Sequence, residues 1–258
     1  MSSTIPSKDK NKRLLSFWAV VFWLALWQIG ASLIGEELLL VSPVRVVLRL
    51  LQMSRELSFW KAISFSFVRI CSGFFLALLF GTVFASLSYR FSFIGTLLSP
   101  LMKAIKAIPV ASFIILVLIW VPSRNLSVVI SFLMVLPLFY INVLEGLEST
   151  SNELLEMAKL FNVSTPKRIR SIYLSQIMPF FRSACSLGLG MSWKSGIAAE
   201  VIGIPVGSMG ENLYQAKVFL ATADLFTWTL VIVLVSVVFE HLVLFLLDRC
   251  FSKIERLS

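Results

Sequence analysis

Residues 226–248 read FTWTLVIVLVSVVFEHLVLFLLD, and the only ionisable side chains in this largely aliphatic and aromatic run are Glu240, His241 and the closing Asp248. A helix rises 1.5 Å per residue, so a run of this length reaches across roughly 30 Å of hydrocarbon. Five more runs of comparable length precede it, at 14–34, 62–88, 94–118, 126–146 and 179–203. The whole chain of 258 residues is 58% hydrophobic and only 14% charged, with a mean hydropathy of +0.89. A soluble domain carries close to twice that share of charge and could not hide so much apolar surface. The composition therefore predicts an all-α integral membrane protein with about six spanning helices.

The segment Lys8-Asp9-Lys10-Asn11-Lys12-Arg13 followed by 14–34 has the outline of a signal peptide. Its apolar stretch is too long for a signal core, and no small-x-small cleavage site closes it, so it reads as an uncleaved first span. Orientation follows from the basic residues of the loops. With the N-terminus inside, the segments 1–13, 89–93, 147–178 and 249–258 hold twelve Lys and Arg, and the outer segments hold six: Arg45, Arg49, Arg55, Lys61, Arg124 and Lys217. Both termini, residues 1–13 and 249–258, are expected as cytoplasmic tails of a multi-pass chain whose permeating region is 14–248. Lys103 and Lys106 fall inside the third run. Either that span begins near Lys106, with Pro100 and Pro109 bracketing a bent entry, or the lysines line a wet cavity; the first is the cheaper arrangement.

Several functions are excluded or disfavoured. The net charge of +9 sits at the ends of apolar runs with no aromatic-interleaved basic stripe, so nucleic acid is not a partner, whereas membrane lipid is. Cys71, Cys185 and Cys250 are far apart and His241 is the single histidine, so no metal-ligand spacing and no disulfide framework exist. No phosphate-cradling loop is present. An intramembrane enzyme would need paired catalytic groups in facing spans, and a self-sufficient secondary transporter or channel would show inverted repeats or helices broken at the midplane; neither pattern is visible.

Two connecting segments have content. In the outer segment 35–61, Ser42-Pro43 starts a short helix with proline at its first position. Val44, Val47, Leu48 and Leu51 share one face of it, as in a helix lying on a membrane surface, and Trp60 follows at the interface. In the long inner loop 147–178, Thr150-Ser151-Asn152-Glu153 reads as a capping box, with Leu154, Leu155, Ala158 and Phe161 on one face of the helix that follows. Asn162 suits the left-handed end of that helix, and Thr165-Pro166 opens a second one.

Glu156-Met157-Ala158-Lys159-Leu160-Phe161-Asn162, then Ile172-Tyr173-Leu174 and Pro179, resembles the Glu-Ala-Ala loop of ABC importer permeases. Glu156, Ala158, Ile172 and Leu174 match; Met157 replaces an alanine, Asn162 the glycine, and Ser175 the first proline. Ser42-Pro43, Phe59-Trp60, Arg69, Gly73-Phe74, Ala107-Ile108-Pro109 and Trp193 with Ala198-Ala199-Glu200-Val201-Ile202-Gly203 resemble the nitrate/taurine/sulfonate branch along nearly the whole chain. The resemblance implies a type I ABC importer permease fold in a bacterial inner membrane. It implies a second permease chain in a homodimer, two ATP-binding cassette subunits that bind the ATP, and an extracytoplasmic solute-binding protein. The chain itself would need no cofactor and would not be an enzyme. Glu156, Met157, Ala158, Phe161 and Asn162 would belong to the loop that couples ATPase closure to transport.

Arg69, Lys194 and Glu200 fall inside spans, where charge is costly and marks a pathway or a pair. Both alternatives stand on the sequence: a solute route among the small residues around 188–199, or an internal ion pair that holds helices together. Lys194 and Glu200 are expected to face the interior of the bundle. Glu240 and His241 read as polar contacts to a neighbouring helix, and Glu145 and Glu148 as interfacial.

Overall fold

A computed structural model of the chain describes the backbone of residues 7–255 and the side chains of residues 18–249 and 251. Every regular element among them is a helix: α1 Ser7–Ile34, α2 Pro43–Met53, α3 Leu57–Arg90, α4 Ser92–Ala107, α5 Val110–Val117, α6 Ser123–Glu148, α7 Asn152–Leu160, α8 Thr165–Arg168, α9 Leu174–Gly203, α10 Met209–Val218 and α11 Thr222–Glu255. A π-helical turn at Ile169–Tyr173 joins α8 to α9 without a break.

Three helices are long and apolar enough to cross a membrane, at Leu57–Arg90, Ser123–Glu148 and Thr222–Arg249, and the pair α4 and α5 passes as a fourth if taken together. α1 and α9 have the length for two more, with 28 and 30 residues. The described apolar part of α1 is Trp18–Ile34, and Arg182, Lys194, Glu200 and the run of Gly and Ser make α9 more polar than α3, α6 and α11.

Several expected boundaries are corrected. The run 94–118 is not one straight span: α4 and α5 meet at an angle of 107°. Ile108 and Pro109 are extended (ψ 130° at both), and Pro109 cannot donate the hydrogen bond that would continue α4. Nor does a span begin near Lys106, because α5 has only eight residues, about 12 Å of rise. The stretches expected as tails are partly helical: α11 runs on to Glu255 past a span that ends at Arg249, and α1 starts at Ser7. Residues 1–6 and 256–258, and the side chain of Cys250, lie outside the described residues. α10 has no counterpart in the expectations.

The chain divides into two compact units. The first comprises residues up to Trp60 together with 213–231. Here Arg49 Nη2 donates to Asp224 Oδ2 at 2.9 Å, with Nε on Oδ1, and Thr227 Oγ1 donates to the Val46 carbonyl at 3.4 Å. Phe59 stacks on Trp228 with centroids 5.2 Å apart. These contacts hold α2 and the first turn of α3 against the start of α11.

The second unit comprises residues 61–212 and 232 onward. Its centre is α6 packed on α9, with α3 across both. Glycines set the spacing. A Cβ on Gly73 would stand 2.5 Å from the Val128 carbonyl oxygen, and one on Gly196 would stand 2.6 Å from both Ile70 Cγ1 and Ser131 Oγ. The small residues of α9 thus bring backbones together, as small residues do between membrane helices. Phe67, Phe74, Trp193 and Phe239 fill the remaining space, with centroids 5.3 to 6.2 Å apart.

Candidate functional site

Two places concentrate the chemistry. The first is α7. Thr150 does not cap it, contrary to the expected capping box: its side chain is buried and donates to the Gly146 carbonyl at 3.4 Å, finishing α6. Ser151, extended at ψ 123°, is the N-cap, and its Oγ accepts from the Leu154 amide at 3.4 Å. Glu153 sits in the first turn, where a carboxylate favours the positive end of the helix. At the other end Asn162 has φ 50°. The Val163 amide donates to the Ala158 carbonyl at 2.9 Å and the Asn162 amide to the Lys159 carbonyl at 3.1 Å. This is the Schellman pattern, and it bears out the left-handed reading of Asn162. Ser164, rather than Thr165, then caps α8, with Pro166 in its first turn.

The face α7 shows overlaps the expected one at Phe161 and differs elsewhere. Ala158 is 5% exposed, and Leu154 and Leu155 are half-buried, so this row packs on the chain itself. The residues turned outward are Met157 (51% exposed), Leu160 (81%) and Phe161 (77%), with Glu156 exposed beside them. The sequence signal was available: Met157, Leu160 and Phe161 follow i, i+3, i+4 spacing, but Leu154, Ala158 and Phe161 follow i, i+4, i+7, also one helical face, and the pattern alone does not choose.

The second place is Glu200, fully buried. Its Oε2 accepts from Ser66 Oγ at 2.6 Å and from the Gly210 amide at 3.2 Å, and Ser66 Oγ accepts from the Met209 amide at 2.9 Å. One carboxyl group thereby ties α3, α9 and the start of α10. Gly210 lets the backbones meet, since a Cβ there would stand 2.3 Å from Glu200 Cβ. Oε1 of Glu200 and Oγ of Ser127 are also buried; the Ser127 hydroxyl interacts with the carboxyl group, although no hydrogen bond of ordinary geometry reaches either atom among the described residues.

Lys194 is not part of this cluster. It is exposed on the surface of the chain, and no ion pair joins it to Glu200 among the described residues. The physical reason is helical phase: six residues along an α-helix turn the side chain by about 120° to another face. Arg69 is half-buried; its Nε donates to the Arg124 carbonyl at 2.7 Å and its guanidinium lies 3.6 Å above the Phe65 ring. Lys194 therefore stands apart from Glu200, whereas Arg69 and Glu200 lie near enough for their charges to act on each other.

The remaining charges are simpler. Glu240 accepts from Ser186 Oγ at 3.5 Å across to α9, whereas His241 Nδ1 reaches only the Val237 carbonyl of its own helix, at 2.9 Å. Arg182 pairs with Asp248 at 3.0 Å. Lys103 lines a cleft of about 390 Å³ with Glu145, Glu148, Tyr140 and Ser99. The described residues contain no group of three or more His, Cys, Asp or Glu placed to hold a metal ion.

Residues 77–256 match the family model of the binding-protein-dependent transport system inner membrane component, well over half of the chain. The chain belongs to this family. The permease is 24% identical over 233 residues to the taurine transport system permease protein TauC of Escherichia coli, covering 88% of this chain and 84% of that one. It is 23% identical to the putative aliphatic sulfonates transport permease protein SsuC of Bacillus subtilis, over 83% and 78% of the two chains. It is 22% identical to the bicarbonate transport system permease protein CmpB of Synechococcus elongatus, over 94% and 88%. The all-helical fold with its apolar spans is that of a type I ABC importer permease in an inner membrane, and the chain is the permease component of a binding-protein-dependent importer.

Proposed function

We propose that this permease works as a homodimer with two ATP-binding cassette subunits and a solute-binding protein, importing a small solute of the nitrate, taurine, sulfonate or vitamin-precursor kind with both termini cytoplasmic. Residues 147–178 transmit ATPase closure. The observation that carries this reading is α7: a helix capped at Ser151 and closed at Asn162 that shows Met157, Leu160 and Phe161 to its surroundings. Rigid ends with an apolar face are what a docking element needs. Burying a large apolar side chain is worth about 1.5 to 3 kcal/mol, so these three side chains suffice to hold a partner's groove.

Lys194 supports a wet route or a seat against the second permease chain, because an exposed ammonium in a span is expensive against acyl chains. Glu200 is a structural tie rather than a solute contact. No ATP or other cofactor is assigned to this chain; the nucleotide belongs to the partner subunits.

The test replaces Leu160 with Glu and Phe161 with Arg, and measures copurification of the ATPase together with solute uptake. Loss of the ATPase, or ATP hydrolysis without uptake, is the expected result; full uptake in both variants overturns the assignment. Ala158→Arg is the wrong probe, since Ala158 packs inside the chain and the variant would damage the permease itself. A thermal-shift screen of the cognate binding protein against sulfonates, nitrate, bicarbonate and pyrimidine precursors identifies the solute.

A further inference from the structure

α2 has three distinct sides. At about 100° per residue, Val44, Val47, Leu48 and Leu51 fall in one sector, Arg45, Arg49 and Gln52 in a second, and Val46, Leu50 and Met53 in a third. The third sector packs on the chain: Val46 and Met53 are buried and Leu50 is half-buried. The second is closed on itself. Arg45 pairs with Glu37 at 2.9 Å, Arg49 is held by Asp224, and Arg49 Nη1 donates to Gln52 Oε1 at 3.4 Å. The first is aliphatic and exposed along its whole length.

We propose that the Val44, Val47, Leu48 and Leu51 row is seated in lipid, just under the headgroups, so that α2 lies at the junction of protein, water and acyl chain. Three observations select lipid over a protein partner. The same unit exposes further large apolar side chains, Leu38 and Leu39 just before α2 and Ile29, Leu33 and Ile34 of α1. It holds no aromatic anchor and no unpaired polar group, the features that concentrate binding energy in protein interfaces. Trp60, exposed and with its Nε1 satisfied by the Ser54 carbonyl at 2.8 Å, follows in the same unit, and tryptophan collects at the headgroup level. The paired charges of the second sector then face water or headgroups beside the lipid-facing row, the arrangement of an interfacial helix.

The experiment places single cysteines at Val47, Leu48 and Gln52 in the full-length permease lacking its three native cysteines, labels them with a small fluorophore and reconstitutes the protein in nanodiscs. Lipids brominated near the top of the acyl chain are the quencher. Quenching at 47 and 48 at least two-fold greater than at 52 is the expected result, and Leu51→Cys repeats the reading if either variant does not assemble. Equal quenching at the three positions overturns the proposal. So does a row at 47 and 48 that neither brominated lipid nor aqueous iodide can reach, which would mean a protein partner covers it.

Discussion

The ends of α7 and α9 both turn through a left-handed residue, and they do so by opposite means. At Asn162, φ 50°, the side chain is one that tolerates this conformation, and two backbone hydrogen bonds complete the turn. At Ile204, φ 47°, the residue is β-branched and resists it, and only the Ile204 amide bond to the Glu200 carbonyl, 2.9 Å, closes the helix end locally. The strain at Ile204 persists because tertiary contacts overdetermine the segment after it: Glu200 grips the Gly210 amide, and Ser66 the Met209 amide. The knob of α7 is thus held by its own sequence, and the turn after α9 by residues from far along the chain.

The strongest way to break this comparison is at Glu200. Glu200→Ala leaves the Ser66 hydroxyl and the Gly210 amide without their acceptor in a buried place, at about 1 to 3 kcal/mol each. A clear drop in the thermal unfolding midpoint in detergent is expected, while Glu200→Gln, which keeps one acceptor oxygen, stays near the parent; equal loss in both would remove the hydrogen-bond explanation. Next comes Asn162→Val, which forces a β-branched residue into the left-handed region for about 1 to 2 kcal/mol. Its effect should be local: faster hydrogen exchange in 152–163 and weaker ATPase copurification, with the global midpoint barely moved. The smallest expected change is a gain. Ile204→Asn relieves strain of about 1 kcal/mol and should raise the midpoint slightly; a fall would mean that the Ile204 side chain contributes more by packing than its backbone costs.

The two turns also differ in how far they could be read from sequence. Asn162 was legible because local chemistry settles it: caps and left-handed residues act within a few positions. Glu200 was legible as a buried charge by its cost in a span, but its partners were not, because Ser66 lies 134 residues away and the other donor is a backbone amide. Lys194 joined it only through proximity in sequence, and helical phase separates them. A bend at Pro109 was legible from the proline, but its 107° was not, because hydropathy averages over a window and has no direction. α10 escaped because it is neither apolar enough for a span nor patterned enough for a surface helix.

The bend between α4 and α5 has one more consequence. A helix end leaves carbonyl oxygens that no amide of its own can reach, and here the residues at the corner, Ala107, Ile108 and Pro109, are exposed on the chain. Hydrocarbon offers such oxygens nothing, and irregular backbone is tolerated at membrane depth only against protein or water. Wherever this elbow stands relative to the bilayer, acyl chains are excluded from it. It marks a place on the permease's surface that must be solvated or covered by another polypeptide.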